Sequence, residues 1–323
     1  MQTRSVGASG LGVGRLGLGT ATWGAETDAD EAARCLGAFA DAGGTLVVVS
    51  DAHHDRGLVG GLLSPARSGL VVAGQTGGTW PPAAAVPAAD PAAGTAGHPP
   101  AGRRGLLTAL DRLLAELGTD ALDLWLLSGW AEGVPLQETL SAVDIAVSSG
   151  RVRYAGLASV AGWQLAAAAV WQQALRDRVP LVAVGAELSL LDRRAEAELL
   201  PAARACGVGL LAWSPLGRGV LTGKYRTGIP ADSRAATEQW QEELAPLVGE
   251  RGTRVVDALL TAADGLGVEP TAVALGWVLQ HEGVAAAVTG PRTAAQLLAA
   301  LDAERLTLPA EIAAALDDVS GPA

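Results

Sequence analysis

Lysine, tyrosine and asparagine are almost missing from this 323-residue chain, which has one lysine, two tyrosines and no asparagine. The lysine is Lys224, and the tyrosines are Tyr154 and Tyr225. A catalytic mechanism that needs two of these residue types close together, such as a Tyr with a Lys, therefore has very few candidate residues in this chain. Cysteine is also scarce. Cys35 and Cys206 lie in apolar helical patterns, which excludes a disulfide framework and indicates inert thiols in the core.

Basic residues are also scarce, with 23 Lys and Arg against 34 Asp and Glu. The net charge is −11 and the isoelectric point is about 4.8, whereas nucleic acids and anionic membranes bind clustered lysine and arginine. The sequence has neither a basic segment followed by an apolar signal region nor an apolar run of membrane-spanning length. We therefore expect a soluble, cytoplasmic protein that binds a small molecule, with no nucleic-acid or membrane partner and an oligomeric state left open.

Apolar strands that alternate with helical patterns are abundant. Alternation predicts right-handed βαβ units and a parallel sheet, and eight such units in this length predict an α/β fold, the (β/α)8 TIM barrel. We expect a single domain over residues 1–323, with a hairpin in residues 1–14 and long βα loops at 77–103 and 214–235. The eight strand candidates begin at Arg15, Thr45, Leu70, Leu122, Val152, Pro180, Val208 and Val284.

A polar cluster follows the second strand and is the first candidate for a site. The apolar run 45–49 leads into Asp51, His53, His54 and Asp55, at the strand end where α/β barrels carry their sites. Histidine transfers protons near neutral pH, and either aspartate could orient one. The alternative is a polar rim without a catalytic role. A metal site is not expected, because adjacent histidines on an extended segment point in opposite directions.

Tryptophans mark the predicted loops at the same end of the barrel. Trp23, Trp80 and Trp130, together with Trp213, fall in these loops and predict an apolar, flat-sided substrate pocket. Loop 77–103, which is rich in Pro, Ala and Gly, is interpreted either as a lid over this pocket or as a low-complexity insertion without fixed structure.

Short motifs recur in a fixed order along the whole chain. They are Leu16-Gly-Leu-Gly-Thr20 with Trp23-Gly24, Leu117-Gly-Thr-Asp120, Gly150-Arg-Val-Arg-Tyr-Ala-Gly156, Glu187 with Ser189-Leu-Leu-Asp-Arg193, Ala212-Trp-Ser-Pro-Leu216, Gly219-Val-Leu-Thr-Gly-Lys-Tyr225 and Gly290-Pro-Arg-Thr293 with Gln296. Together these motifs resemble those of the aldo-keto reductases. The resemblance implies a (β/α)8 barrel that binds NADP(H) at the carboxyl ends of its strands.

The catalytic tetrad of that family has no match here. Family members reduce carbonyls with an Asp, a Tyr, a Lys and a His, in which Tyr donates the proton, Lys and Asp lower its pKa, and His orients the carbonyl. Aligned on the motifs, these positions fall on Val48, His53, Gln75 and Ser128. The lysine and both tyrosines of the chain belong to other matched segments, so the strand ends hold no Tyr–Lys pair.

The cofactor positions are only partly kept, so NADP(H) binding stays open. In the family, a Ser-Asn pair and a Gln bind the amide of the nicotinamide, whereas this chain has Ala158-Ser159 and Gly185 at those positions. The Asn that the family places near the adenine is replaced by Ala300. The resemblance assigns the remaining positions to nicotinamide stacking, the pyrophosphate loop and the adenosine 2′-phosphate. Those residues are Thr20, Trp213, Ser214, Leu216, Gly219, Lys224, Arg292 and Gln296.

Three hypotheses follow. The first is non-redox acid–base chemistry, by a lyase or isomerase, in a dehydration, cyclisation or isomerisation of a small apolar metabolite in specialised biosynthesis. In it His53 transfers the proton, Asp51 or Asp55 orients it, and His54 and Ser128 contact substrate. The second is an NADP(H)-dependent oxidoreductase with His53 as the proton donor. The third is a non-catalytic ligand- or nucleotide-binding protein.

Overall fold

A closed barrel of eight parallel strands forms the centre of the molecule, which confirms the predicted TIM barrel. The structure is a computed structural model, and it describes residues 1–50, 55–77, 102–129, 133–226 and 244–321, together with residues 228 and 230. The single domain over residues 1–323 stays a prediction. In the order of the closed sheet, the barrel strands are β10 (Val284–Thr289), β3 (Leu16–Gly19), β4 (Leu46–Ser50), β5 (Val71–Thr76), β6 (Leu122–Ser128), β7 (Val152–Ala158), β8 (Leu181–Glu187) and β9 (Gly209–Trp213).

Helices surround the barrel and bury its outer face. Their apolar faces pack on the strands. The core between helices and strands contains three large, fully buried side chains, Phe39, Trp125 and Trp277. The helices are α1 (Ala29–Asp41), α2 (Arg56–Leu63), α3 (Gly102–Leu117), α4 (Leu136–Ser148), α5 (Gly162–Gln173), α6 (Arg194–Ala197), α7 (Leu199–Cys206), α8 (Glu250–Leu266), α9 (Pro270–Gln280), α10 (Ala294–Leu301) and α11 (Ala310–Ser320).

The predicted N-terminal hairpin is present and closes the amino end of the barrel. Strands β1 (Thr3–Ser5) and β2 (Gly12–Gly14) pair antiparallel. Val6 and Val13 pack with residues near the start of the barrel strands, among them Leu46. Gly7 has φ +56°, and a Cβ there would collide with the carbonyl oxygen of Gly207, so only glycine permits this close approach. A ligand must therefore enter from the opposite, carboxyl end.

Strand positions follow the prediction more closely than helix positions do. Every barrel strand begins at the predicted residue or one residue later. Helices α6 and α7 follow each other directly and are separated at Glu198, whose backbone is not helical (φ −136°). Helix α2, whose sequence contains three glycines, was not predicted at all.

Among the described residues, no single helix is long and apolar enough to cross a membrane. Only α8 and α9 taken together, bent by 101° at their junction, meet the criteria of length and composition. In α9 every side chain from Ala272 to Leu279 is buried against the rest of the fold.

An ionic cluster ties α6 to the end of α9. Arg193 donates two hydrogen bonds to the Glu196 carboxylate at 2.9 and 2.7 Å, and Nε2 of His281 lies 3.2 Å from the same carboxylate. Burial raises the pKa of Glu196, but the hydrogen bonds to His281 and Arg193 outweigh it and lower the pKa from 4.5 to about 2. Glu196 therefore stabilises the folded state as a carboxylate.

We expect Glu196→Gln to lower the free energy of unfolding by about 2 kcal/mol at neutral pH. Because the folded-state pKa is depressed, this stabilisation is complete above the unfolded pKa near 4.5 and is lost as the pH falls towards 2. Urea unfolding at several pH values measures the difference between the wild type and the variant. A difference that stays constant from pH 7 to pH 3 would contradict the assignment.

Candidate active site

A cavity of about 560 Å³ opens at the carboxyl end of the barrel. Its floor comes from the ends of neighbouring strands and includes Val48, Ser50, Gln75 and Ser128. Residues two apart on a strand face the same side, so Val48 and Ser50 of β4 both point into the barrel interior. Ser50 pairs in register with Gln75 of β5, which brings these side chains together at the floor.

The floor is polar but uncharged. Nε2 of Gln75 donates a hydrogen bond to Oγ of Ser128 at 2.6 Å. Among the described residues that line the cavity, the ionisable side chains are Arg218, Lys224, Glu269 and Arg292, and none of them comes from a strand. The described floor can therefore hydrogen-bond a ligand oxygen, but it holds no group that exchanges a proton near neutral pH.

One wall is the loop that follows β9. Ser214 and Arg218 have positive φ, at +50° and +55°, and such backbone strain in residues with a Cβ clusters at ligand sites. Gly219 has φ +92°, which glycine adopts without strain. The amide N–H groups of Gly217 and Gly219 donate to carbonyls within the loop, so its positive charge comes from side chains. A Cβ on Gly219 would lie 3.1 Å from Nζ of Lys224, so glycine keeps this wall open beside the ammonium group.

A buried ion pair holds Arg218 at the cavity. Its Nη2 lies 3.2 Å from Oε2 of Glu187, the last residue of β8, and the two side chains are only 11% and 8% exposed. Because a buried charge without its partner is costly, Glu187 fixes the guanidinium where it lines the cavity.

We expect Glu187→Ala to destabilise the protein by about 3 kcal/mol, because it leaves Arg218 charged at a buried position. The matched control is Glu282→Ala. Glu282 is exposed and lies 3.7 Å from Arg204, and the loss of such a surface pair costs at most about 0.5 kcal/mol. Chemical denaturation of both variants measures the effect, and equal losses would show that burial does not govern the Glu187 pair.

The opposite wall is built by the loop after β10 and the start of α10. Arg292 and Gln296 line the cavity here, with Ala300 behind them. Nη1 of Arg292 lies 3.4 Å from a carboxylate oxygen of Glu26, in the loop between β3 and α1. The loop between β3 and α1 therefore contacts the loop after β10 at this end of the cavity.

Most of the predicted site residues that the structure describes lie on this one cavity. Asp51, His53, His54, Trp80 and Trp130 fall outside the described residues. The predicted residues that line the cavity are Thr20, Ser128, Trp213, Ser214, Leu216, Gly219, Lys224, Arg292 and Gln296.

Two predicted site residues lie elsewhere. Asp55 is exposed and does not line the cavity; it is the N-cap of α2 and accepts a hydrogen bond from the Leu58 N–H at 2.8 Å. Trp23 is completely buried in the core and is likewise absent from the cavity lining; its backbone forms an isolated bridge with Thr27 in the loop between β3 and α1. The structure places neither side chain on the cavity, and a role of either residue in the site stays a prediction.

Sequence reasoning missed several cavity residues. Arg218 had a signal, since a cation between two glycines marks an unusual loop. Ser159 also lines the cavity and has φ +55°, which its sequence does not reveal. Glu269 and Thr271 come from the start of α9, far along the chain, so no local pattern links them to the site.

Comparison with known proteins identifies the family to which this barrel belongs. The sequence profile of the Aldo/keto reductase family matches residues 15–320, so the chain belongs to that family of barrel proteins. It is 32% identical to the uncharacterised oxidoreductase YrpG of Bacillus subtilis, over 99% of this chain and 96% of that protein. It is 30% identical to a probable voltage-gated potassium channel subunit beta of rice, Oryza sativa subsp. japonica, over 90% and 87% of the two chains. The L-glyceraldehyde 3-phosphate reductase of Escherichia coli is 32% identical over 60% of this chain and 57% of its own.

Proposed function

We propose that this protein is an oxidoreductase that uses a nicotinamide dinucleotide to interconvert a small carbonyl compound and its alcohol, with His53 as the proton donor. The observation that carries the proposal is the convergence of the predicted cofactor residues on one cavity at the carboxyl end of the barrel. Family membership and relatives named as oxidoreductases favour redox chemistry over the non-redox reaction that the sequence alone put first.

The described residues fit a dinucleotide along the cavity. Its volume lies within the range of cofactor and ligand sites, roughly 300–1,000 Å³. Trp213 offers a flat ring for the nicotinamide, and Lys224 offers positive charge for the pyrophosphate, with N–H donors of the Arg218 guanidinium on the same wall. Arg292 and Gln296 offer polar groups for the adenosine end. When bound, the nicotinamide supplies the hydride for reduction or accepts it in the reverse reaction.

The contribution of the protein itself lies at the floor. Gln75 and Ser128 form a neutral hydrogen-bonded pair that can bind a carbonyl oxygen, and Val48 keeps water from that side. Neither polar group donates a proton at neutral pH, so we assign that step to His53, which follows β4. Asp51 is proposed to orient its imidazole.

Fluorescence titration with NADPH and NADH tests this proposal. We expect saturable quenching of tryptophan emission with a Kd of about 1 μM to 1 mM, the usual range for ligands of enzymes. Trp213→Phe should remove much of the quenching. The matched control Trp163→Phe, at an exposed indole of α5 outside the cavity lining, should leave it unchanged. A lack of quenching by either cofactor at millimolar concentration would contradict the proposal.

The uncharged floor supports a second candidate, the non-redox acid–base reaction at His53. Val48, Gln75 and Ser128 supply no charge of the kind that the family's Asp and Lys provide. In this candidate the dinucleotide site serves binding alone, and the substrate loses water or rearranges without change in oxidation state. Consumption of the reduced cofactor in step with product formation separates the two candidates, because only the redox reaction requires it.

A further inference from the structure

Two carboxylates, Glu26 and Glu31, lie beside the wall of the cavity that the proposed function assigns to the adenosine end, although neither lines the cavity itself. Glu26 pairs with Arg292, the guanidinium of this end, at 3.4 Å. Their side chains are 33% and 21% exposed, so water screens the pair only in part. The positive charge that a ribose 2′-phosphate would require is therefore already partly neutralised by this chain.

The amino end of α10 is a second source of positive potential. Two of its backbone N–H groups already donate hydrogen bonds to side chains of this chain. The N–H of Ala294 donates to Oε1 of Glu31 at 2.5 Å, and the N–H of Gln296 donates to Oγ1 of Thr293 at 3.2 Å. Just before the helix, the N–H of Arg292 donates to Oε1 of Gln296 at 2.9 Å. Helix amino ends bind phosphate through such N–H groups, and here three of them are satisfied by side chains.

Glu31 is a second carboxylate next to this wall. The hydrogen bond from Ala294 and then the one from Arg34 hold the pKa of this carboxyl below its ordinary value, so Glu31 is ionised at neutral pH. Arg34 donates to it through Nε at 2.9 Å and compensates its charge. Glu31 therefore occupies the N–H of Ala294, whereas Glu26 is the carboxylate that a phosphate dianion at Arg292 would approach. Like charges at such sites disfavour the wrong ligand.

The 2′-hydroxyl of a ribose requires a hydrogen-bond acceptor, whereas a 2′-phosphate requires positive charge. A carboxylate accepts a hydrogen bond from the 2′-hydroxyl of NAD(H), whereas the 2′-phosphate of NADP(H) needs an arginine with its charge available. We propose that Glu26 sets the cofactor preference of this site, favouring NAD(H) over NADP(H) by pairing with the guanidinium that would otherwise meet the phosphate. This inference rests on the proposed function.

Competitive binding of the two reduced cofactors tests it. Kd values for NADH and NADPH are measured by fluorescence for the wild type, for Glu26→Gln and for Asp30→Asn. Asp30→Asn removes the same charge from an exposed position in the first turn of α1. We expect the wild type to bind NADH at least as tightly as NADPH. Glu26→Gln should tighten NADPH about tenfold with little change for NADH, whereas Asp30→Asn should leave the ratio unchanged.

Each outcome decides between the two proposals. Suppose that the wild type binds NADPH ten times more tightly than NADH and that Glu26→Gln leaves the ratio of the two Kd values unchanged. This result overturns the inference but is compatible with the oxidoreductase proposal. An equal shift in both variants also overturns it, because general charge rather than the ion pair then governs the preference. If neither cofactor binds, the proposed function fails and the inference fails with it. Circular dichroism melting confirms that the exposed substitutions leave the fold intact.

Discussion

His53→Ala is expected to lower kcat for carbonyl reduction by about 10²- to 10⁴-fold, the usual contribution of a positioned general acid. The physical reason is the uncharged floor, where Val48, Gln75 and Ser128 offer no substitute donor among the described residues. The Kd of the dinucleotide should change little. Single-turnover reduction of a small aldehyde, followed by the loss of reduced-nicotinamide absorbance, measures the effect.

The pH profile distinguishes a proton donor from a residue that merely shapes the pocket. Reduction consumes a proton, so the wild-type rate should fall as the pH rises through the ordinary pKa of histidine, about 6.5. His53→Ala should lack this descending limb. His54→Ala is the matched control, since His54 is predicted to contact the substrate and not to transfer the proton; it should alter KM more than kcat. The same descending limb in wild type and His53→Ala would exclude His53 as the donor.

Gly219→Val is expected to weaken binding of both NADH and NADPH at least about 100-fold. A side chain there meets Nζ of Lys224 at 3.1 Å and narrows the wall of the cavity. It also has to adopt φ +92°, which costs about 1–3 kcal/mol in a residue with a Cβ. Fluorescence titration of the purified variant gives both dissociation constants.

Gly267→Val is the control for the free-energy cost of placing a residue with a Cβ at a positive φ. Gly267 ends α8 at φ +64°, a Cβ there would meet no described neighbour within 4 Å, and the residue does not line the cavity. Both variants should lose comparable stability, but only Gly219→Val should lose dinucleotide binding. Equal retention of binding in the two variants would mean that the loop after β9 is not part of the cofactor site.

The barrel could be predicted because its strands are buried on both faces. A strand in a parallel sheet reads as a continuous apolar run. In this chain the run that begins at Val284 coincides with β10, and the run that begins at Pro180 leads into β8 one residue later; every residue of these two strands is buried. The location of the site follows from the same fact, since polar residues that end such runs collect at one edge of the barrel. Gln75 and Ser128 lie on neighbouring strands, so their meeting at the floor follows from the topology.

Other features depend on backbone conformations and distant contacts that no local pattern specifies. The positive φ of Ser159 and Ser214 is set by the tertiary packing of their loops. The ion pair between Glu26 and Arg292 joins residues 266 positions apart. Trp23 shows the converse: a tryptophan in a loop predicts a pocket wall, but the surrounding fold buries it completely.

Transfer of deuterium tests the central claim most directly. Reduced cofactor labelled at the hydride-donating carbon of the nicotinamide is incubated with the protein and a panel of small aldehydes and ketones, and the products are analysed by mass spectrometry. The proposed oxidoreductase predicts an alcohol that carries the deuterium, formed in step with oxidised cofactor and abolished by Gly219→Val. Bound cofactor that keeps its deuterium while the protein releases an unlabelled product of unchanged oxidation state would contradict it.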